Sequence, residues 1–317
     1  MAVALTVASG LARVRPVGPG SRVGLVAPAS PFAREDFEAG LAEMSRLGWV
    51  PVYDERVFER EAIVAGPPSV RGAALSDYLQ RSDIDAVLAV RGGYGSAETL
   101  PFLDAAAIRE SRTAFIGYSD VTALHTFLTC HARLVSVHGP MIEGRLAKGE
   151  VAYDRASLMA AVSIQPVGRL APEGLEVGKP GEASGPLFGG TLTQLTASFG
   201  TPYQFDPPAG HVLVLDEVGE RPYRIRRMLN QMSQAGVLAR ATAVVIGQLP
   251  RCDEPGGAIT GRDVFLDFFR GFPGPVVLGF PTGHSTSAFI TLPFGVNARV
   301  LAHGAPALVL DEPAAAA

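Results

Sequence analysis

Ser119 has the most suggestive neighbours of any residue in this chain. It follows the apolar run 114–116 and Gly117-Tyr118, and it precedes Asp120 and an apolar stretch from residue 121 to about 130. A serine on a strand-to-helix turn exposes its hydroxyl and has the following N–H groups aimed at one point. Acyl transfer needs that arrangement, because the tetrahedral oxyanion must meet donors already in place, each worth ~3 kcal/mol. The N–H of Asp120 is one candidate donor. Gly92-Gly93, closing the neighbouring strand, could supply another, since glycine lets backbone approach a substrate closely. Two observations pull the other way. Ser and Asp are favoured helix caps, and Val121 replaces the second glycine of G-x-S-x-G, which disfavours a standard α/β-hydrolase elbow.

A nucleophilic serine needs a base, and the base needs an orienting acid. His284 sits on a Gly-Pro loop, Gly279-Phe280-Pro281-Thr282-Gly283, leaving an apolar run. His138 ends a short strand before Gly139-Pro140 and could also line a site. His125 and His131 read as packing or surface residues of the helix after Ser119, while His211 and His303 have no catalytic setting. For the acid, Asp216-Glu217 follows the apolar run 212–215. Side chains alternate along a strand, so at most one of the two points into a given cleft. The histidines form no H-x-x-x-H pair, and Cys130 and Cys252 lack ligand spacing, so no metal is expected. Cys130 reads as a buried small residue.

The elements that must hold these residues alternate along the chain. Runs 23–26, 84–90 and 114–116 read as buried strands, and 36–47 as a helix with Phe37, Leu41, Met44 and Leu47 on one face. Strand, Gly-rich turn, helix, repeated, marks a parallel α/β sheet. Residues from about 146 to 185 break the rhythm with Gly, Pro and Glu. Helices at 192–199, 221–235 and 263–269 then interleave with strands at 211–215, 243–246 and 276–278. Strands at 290–292, 298–302 and 307–310 finish the chain. The expected organisation is an N-terminal unit over 1–150, a linker over 151–185 and a C-terminal unit over 186–317. Ligands of such folds sit beyond the carboxyl ends of the strands.

With 317 residues, 47% hydrophobic and 18% charged, the chain reads as a well-buried globular protein of two domains. A net charge of -4 gives no reason to expect nucleic acid or an anionic membrane as partner. Residues 1–12 have no basic n-region, and their apolar run is broken by Ser9 and Gly10, so no secretory leader is expected. No stretch approaches the ~20 apolar residues of a membrane span. A cytoplasmic location follows as the expectation. The Pro-Ala-Ala-Ala-Ala end is expected to fray.

Six segments, in order from about residue 22 to 302, resemble the LD-carboxypeptidase family. They are Arg91-Gly92-Gly93-Tyr94-Gly95, the run from Gly117 through Ser119 to Leu124, and Gly189-Gly190-Thr191-Leu192. Gly200-Thr201-Pro202-Tyr203, the stretch 220–229 with its Pro-Tyr-Arg-Ile core, and Gly283-His284 with Thr291-Leu292-Pro293-Phe294-Gly295 complete them. The resemblance implies a flavodoxin-like or glutamine-amidotransferase-like N-terminal sheet carrying Ser119. It also implies a mixed C-terminal α/β domain carrying His284 and the acid. The implied activity is serine carboxypeptidase cleavage of an L,D-amide, releasing terminal D-Ala from muropeptide tetrapeptides during peptidoglycan recycling. No metal or cofactor is implied, and a homodimer is.

Family members usually read Glu-Asp after the apolar strand, with the first residue as the acid. Here position points to Asp216 and residue type to Glu217; position is the preferred guide. In the implied reaction Ser119 attacks the carbonyl, the oxyanion rests on Asp120 N–H and a Gly92 or Gly93 N–H, and Arg91 is a candidate holder of the substrate carboxylate. Arg91 could equally anchor its loop. Tyr118 and Tyr94 could line the pocket. Hydrolysis of an aminoacyl-adenylate antibiotic, as in the microcin-immunity branch, is the alternative within the fold. A non-catalytic ligand-binding protein is the alternative outside catalysis.

Overall fold

In the computed structural model, which describes residues 10–317, the apolar runs assemble into two sheets. The reading of residues 1–9 lies outside the described residues. The first sheet is built from β1 (Arg22–Val26), β2 (Val50–Val52), β3 (Ala86–Ala89), β4 (Ala114–Gly117) and β5 (Ser136–His138), in the order β5-β4-β3-β1-β2. These five are mutually parallel. Every residue of β3 and β4 is buried, as expected of parallel strands covered on both faces.

The rest of the chain supplies β6 (Gly168–Leu170), β7 (Glu176–Lys179), β8 (Gly181–Thr191), β9 (His211–Asp216), β10 (Ala241–Gly247), β11 (Val276–Phe280), β12 (Leu292–Phe294), β13 (Asn297–Ala302) and β14 (Ala307–Leu310). Eight of these form the second sheet, ordered β6-β14-β13-β8-β9-β10-β11-β7. Its centre, β8-β9-β10-β11, is parallel, and antiparallel strands flank it on both sides. The fold is therefore α/β, with five parallel strands in the first sheet and a mixed second sheet.

The helices follow their sequence signals. Arg34–Arg46 buries Phe37, Gly40 and Met44, with acidic Glu35 and Asp36 in its first turn and Arg46 in its last, matching the helix dipole. Pro222–Gln234 starts on a proline, whose missing N–H is harmless there, and buries Ile225, Leu229 and Met232. Gly261–Phe269 begins on a reciprocal Thr260–Asp263 capping box. The helix expected over 121–130 is less regular: a 3-10 turn, a short α segment Thr122–Thr126 and a π turn Phe127–His131. Cys130 at its end is only half-buried.

Four features differ from the sequence reading. The segment 151–185 holds a helix, Arg155–Ala161, together with β6, β7 and the start of β8. β6 and β7 are short and largely solvent-facing, so they lack the apolar run that marks a strand. The strand expected at 290–292 forms two residues later, as β12, and it crosses back to the first sheet. There it pairs antiparallel with β5, Leu292 opposite His138, and covers an edge that would otherwise be bare. The helix Pro68–Gln80, read from no sequence period, buries Leu75, Tyr78 and Leu79. Finally, the C-terminal tail does not fray. Ala314 and Ala315 are buried, Ala316 N–H donates to Val14 O at 3.0 Å, and Arg112 donates to the carbonyl of Ala316.

The two sheets meet at the carboxyl ends of their parallel strands. Thr191, last in β8, donates its N–H to Thr122 Oγ1 at 3.1 Å. A Cβ on Gly190 would lie 2.6 Å from the Thr122 side chain, so only glycine permits this approach. Among the described residues no helix is long and apolar enough to cross a membrane.

Candidate active site

Ser119 follows β4 by two residues and takes φ 68°, a left-handed conformation that non-glycine residues adopt at a cost. Such strain concentrates at functional turns, where the surroundings over-determine it. Three contacts hold this turn. Asp120 is buried and its Oδ2 accepts the N–H of Ser96 at 2.8 Å. Its Oδ1 accepts Gln194 Nε2 at 3.1 Å, and its backbone carbonyl accepts Ser96 Oγ at 2.7 Å. Burial raises the Asp120 carboxyl against the opposing effect of the Ser96 bonds. Below the turn, His125 bridges Ser136 Oγ (2.6 Å) and Gly117 O (2.8 Å), tying the end of β4 to β5.

The loop after β3 lies against the same turn. A Cβ on Gly92 would sit 3.0 Å from Ser119 Cβ, 3.2 Å from its Oγ and 3.3 Å from Asp120 N. Bare backbone therefore borders the hydroxyl. Gly93, at φ 98°, packs against Ser30, whose Oγ accepts Tyr94 N–H at 3.1 Å. Arg71 is buried and donates to Gly95 O at 2.7 Å and Pro28 O at 2.6 Å, which fixes the far side of the loop.

The base and acid arrive from the second sheet. His284 Nε2 lies 2.9 Å from Ser119 Oγ, and His284 Nδ1 lies 2.6 Å from Asp216 Oδ2. The same carboxylate oxygen accepts His284 N–H at 2.9 Å, and Oδ1 accepts Thr191 Oγ1 at 3.0 Å. Asp216 is 1% exposed. Burial would raise its carboxyl, but the adjoining His284 charge and hydrogen bonds outweigh that and hold it down to about 2. Gly283 has φ 63°, and a Cβ there would lie 2.2 Å from Asp216 Oδ2. The loop can approach the carboxylate only with glycine at that position.

Glu217 points elsewhere. Its Oε2 accepts the N–H (2.9 Å) and Oγ1 (2.7 Å) of Thr193, and its Oε1 accepts Val218 N–H at 2.9 Å. It thus caps the helix Leu192–Ala197. Strand alternation separates the pair as expected, and Asp216 is the member brought to His284.

Of the other residues singled out in the sequence, Tyr118 is buried and packs edge-on to His284, ring centroids 5.4 Å apart. Arg91 forms an ion pair with Glu143 at 2.9 Å and donates to Pro31 O at 2.6 Å. Tyr94 is 53% exposed, on the rim of the glycine loop. His138 is fully buried against Tyr118, Phe289 and Phe294, and neither ring nitrogen has a partner among the described residues. His131 lies outside this cluster, bonded to Gln204 O. Among the described residues no group of three His, Cys, Asp or Glu side chains could hold a metal.

Sequence reasoning assigned nothing to Thr191, Gln194 or Arg145. Thr191 stood inside a quoted segment, and its place at the end of a strand was the available signal. Arg145 had none. It is buried and donates to backbone carbonyls of the loop that bears His284. The assembled chain of contacts, hydroxyl to imidazole to buried carboxylate with glycine backbone alongside, can move a proton off Ser119 and receive a negative charge beside it.

Residues 23–139 match the LD-carboxypeptidase N-terminal domain, and residues 184–300 match the LD-carboxypeptidase C-terminal domain. A carboxypeptidase-named protein of Streptomyces coelicolor is 36% identical over 310 residues, 95% of this chain and 97% of that protein. The murein tetrapeptide carboxypeptidase of Pseudomonas aeruginosa is 30% identical over 270 residues, 83% of this chain and 88% of that one. A solved structure of the microcin C7 self-immunity protein in complex with aspartyl sulfamoyl adenosine is similar with a TM-score of 0.88. That match covers 96% of this chain and 99% of the other at 20% identity, a likeness of fold.

Proposed function

The chain belongs to the LD-carboxypeptidase family, and on that premise we propose that it is a serine carboxypeptidase releasing a terminal D-amino acid from murein tetrapeptides. The observation that carries this reading is the 2.9 Å and 2.6 Å relay from Ser119 through His284 to Asp216. In the proposed reaction His284 Nε2 takes the Ser119 proton as Oγ attacks the carbonyl of the L-residue. The oxyanion is received by the N–H of Asp120 and that of Gly92 or Gly93. His284 then protonates the departing D-amino acid, and water cleaves the acyl-enzyme by the same route in reverse. Asp216 holds the imidazole in one tautomer and stabilises its protonated form.

Arg91 already spends donors on Glu143 and Pro31 O, which supports its role as a loop anchor over that of a carboxylate holder. Tyr118 is proposed to form the floor under His284, and Tyr94 part of the entrance. We place the units at 1–150 and 186–317, with the intervening segment built into the second sheet. The protein is proposed to act as a cytoplasmic homodimer.

Two substrate classes compete for this site. The 30% identity to a murein tetrapeptide carboxypeptidase supports the peptide. Purified protein should release D-Ala from L,D-tetrapeptides and leave aminoacyl-sulfamoyl adenylates intact. Cleavage of the adenylates alone would transfer the proposal to the microcin-immunity type of reaction.

A further inference from the structure

We propose that Arg145 is a positioning residue for His284, holding the histidine's loop in register with Ser119 across the junction between the sheets. The role rests on the serine relay proposed above.

Arg145 follows β5 of the first sheet by seven residues, yet its guanidinium is spent almost wholly on the loop after β11 of the second. One terminal nitrogen donates to Gly283 O at 3.1 Å and to Ser285 O at 2.8 Å, the two carbonyls that flank His284. The same nitrogen reaches Ser285 Oγ at 3.1 Å. The other donates to Ser287 O at 3.2 Å and to Ala152 O at 3.0 Å. The carbonyls of the residues before and after His284 therefore converge on one nitrogen, which restrains the loop on both sides of its Cα.

The charge has no ordinary use. Arg145 is 8% exposed, and among the described residues no carboxylate lies within ion-pair distance of it. A buried cation without an anion is costly unless dipoles surround it. Here the dipoles are loop carbonyls, with the rings of Phe289 at 5.4 Å and Tyr118 at 5.8 Å beneath the guanidinium. Tyr118 in turn abuts the His284 ring. Ser285 O accepts from Arg145, whereas Gly283 O, Ala152 O and Ser287 O also accept from Ser285 N–H, Phe289 N–H and Ser285 Oγ, so Arg145 adds a second tie to a loop that is already partly bonded. Lysine could not replace it, because one ammonium cannot span Gly283 O and Ala152 O as the planar fork does.

The test compares wild type with Arg145→Lys and Arg145→Ala by two readouts. The first is the rate at which a phosphonate reagent labels Ser119, which does not depend on the substrate class. The second is the downfield proton signal of the His284 Nδ1–H bonded to Asp216. Both variants should label about 100-fold more slowly, the usual cost of a small misplacement at a reacting centre. Both should lose or broaden the signal, and added guanidinium should restore part of the rate in the alanine variant. Should that variant fail to fold, the lysine variant carries the comparison. Labelling within about threefold of wild type, or slow labelling with the signal intact, would overturn the proposal. Wild type that shows the signal but never labels would sink the nucleophile reading alone, leaving the signal to decide the role of Arg145.

Discussion

At the scale of the residue, two adjacent carboxylates have different partners, and their substitutions should separate them. Asp216→Asn would leave His284 without its acceptor and favour the wrong tautomer, lowering kcat by ~10⁴ with the fold retained. Glu217→Gln should change kcat less than about tenfold but cost roughly 1 kcal/mol of stability through the weakened helix cap. Steady-state hydrolysis together with urea denaturation of both variants checks the pair. The place of Ser119 between strand and helix was legible, and Asp216 and its neighbour were legible as a choice of one. The selection itself was not. It depends on which way β9 faces when it docks beside Thr191, and a single strand's pattern does not encode that. Arg145 was silent for the same reason, since a guanidinium that serves the carbonyls of a loop 138 residues away leaves no local pattern.

At the scale of the element, the loop from Pro281 to His284 decides whether the two sheets make one site. Gly283→Ala would place a methyl 2.2 Å from Asp216 Oδ2 and 2.3 Å from its Cγ, at a left-handed φ. Backbone or carboxylate must shift. We expect kcat to fall about 100-fold, consistent with a displacement near 1 Å, while helix and strand content stay unchanged by circular dichroism. The strands that carry the site were the legible ones, because β3, β4, β9 and β11 are buried apolar runs. Strands on the margin were not. β6 and β7 face solvent, and β8 runs through Gly181, Glu182, Ala183, Ser184, Gly185 and Pro186 before its apolar Leu187-Phe188.

At the scale of the whole molecule, the crossing of β12 back onto β5 puts a buried histidine at the seam. Burial pushes His138 down from 6.5 to about 4, with Asp216 and His284 as opposing smaller influences. A histidine held neutral in the fold keeps its stability above 6.5. As pH falls from there toward about 4, the unfolded chain takes up a proton that the folded chain refuses, and stability is lost. His138→Leu removes that loss, so its stability should fall less between pH 6.5 and 4, by roughly 3 kcal/mol at about 1.4 kcal/mol per pKa unit. Denaturant titrations across that pH range would show it, and parallel curves for the two proteins would refute it. The crossing was not legible in the sequence, which placed residues 290–292 with the second unit.

D-Ala released from an L,D-tetrapeptide by wild type and Ser119→Ala, measured side by side, tests whether Ser119 is the nucleophile. Wild type should release one D-Ala per tetrapeptide, and the variant should lose at least about 10⁴-fold in rate with unchanged folding. Release by the variant at a rate near wild type would contradict it.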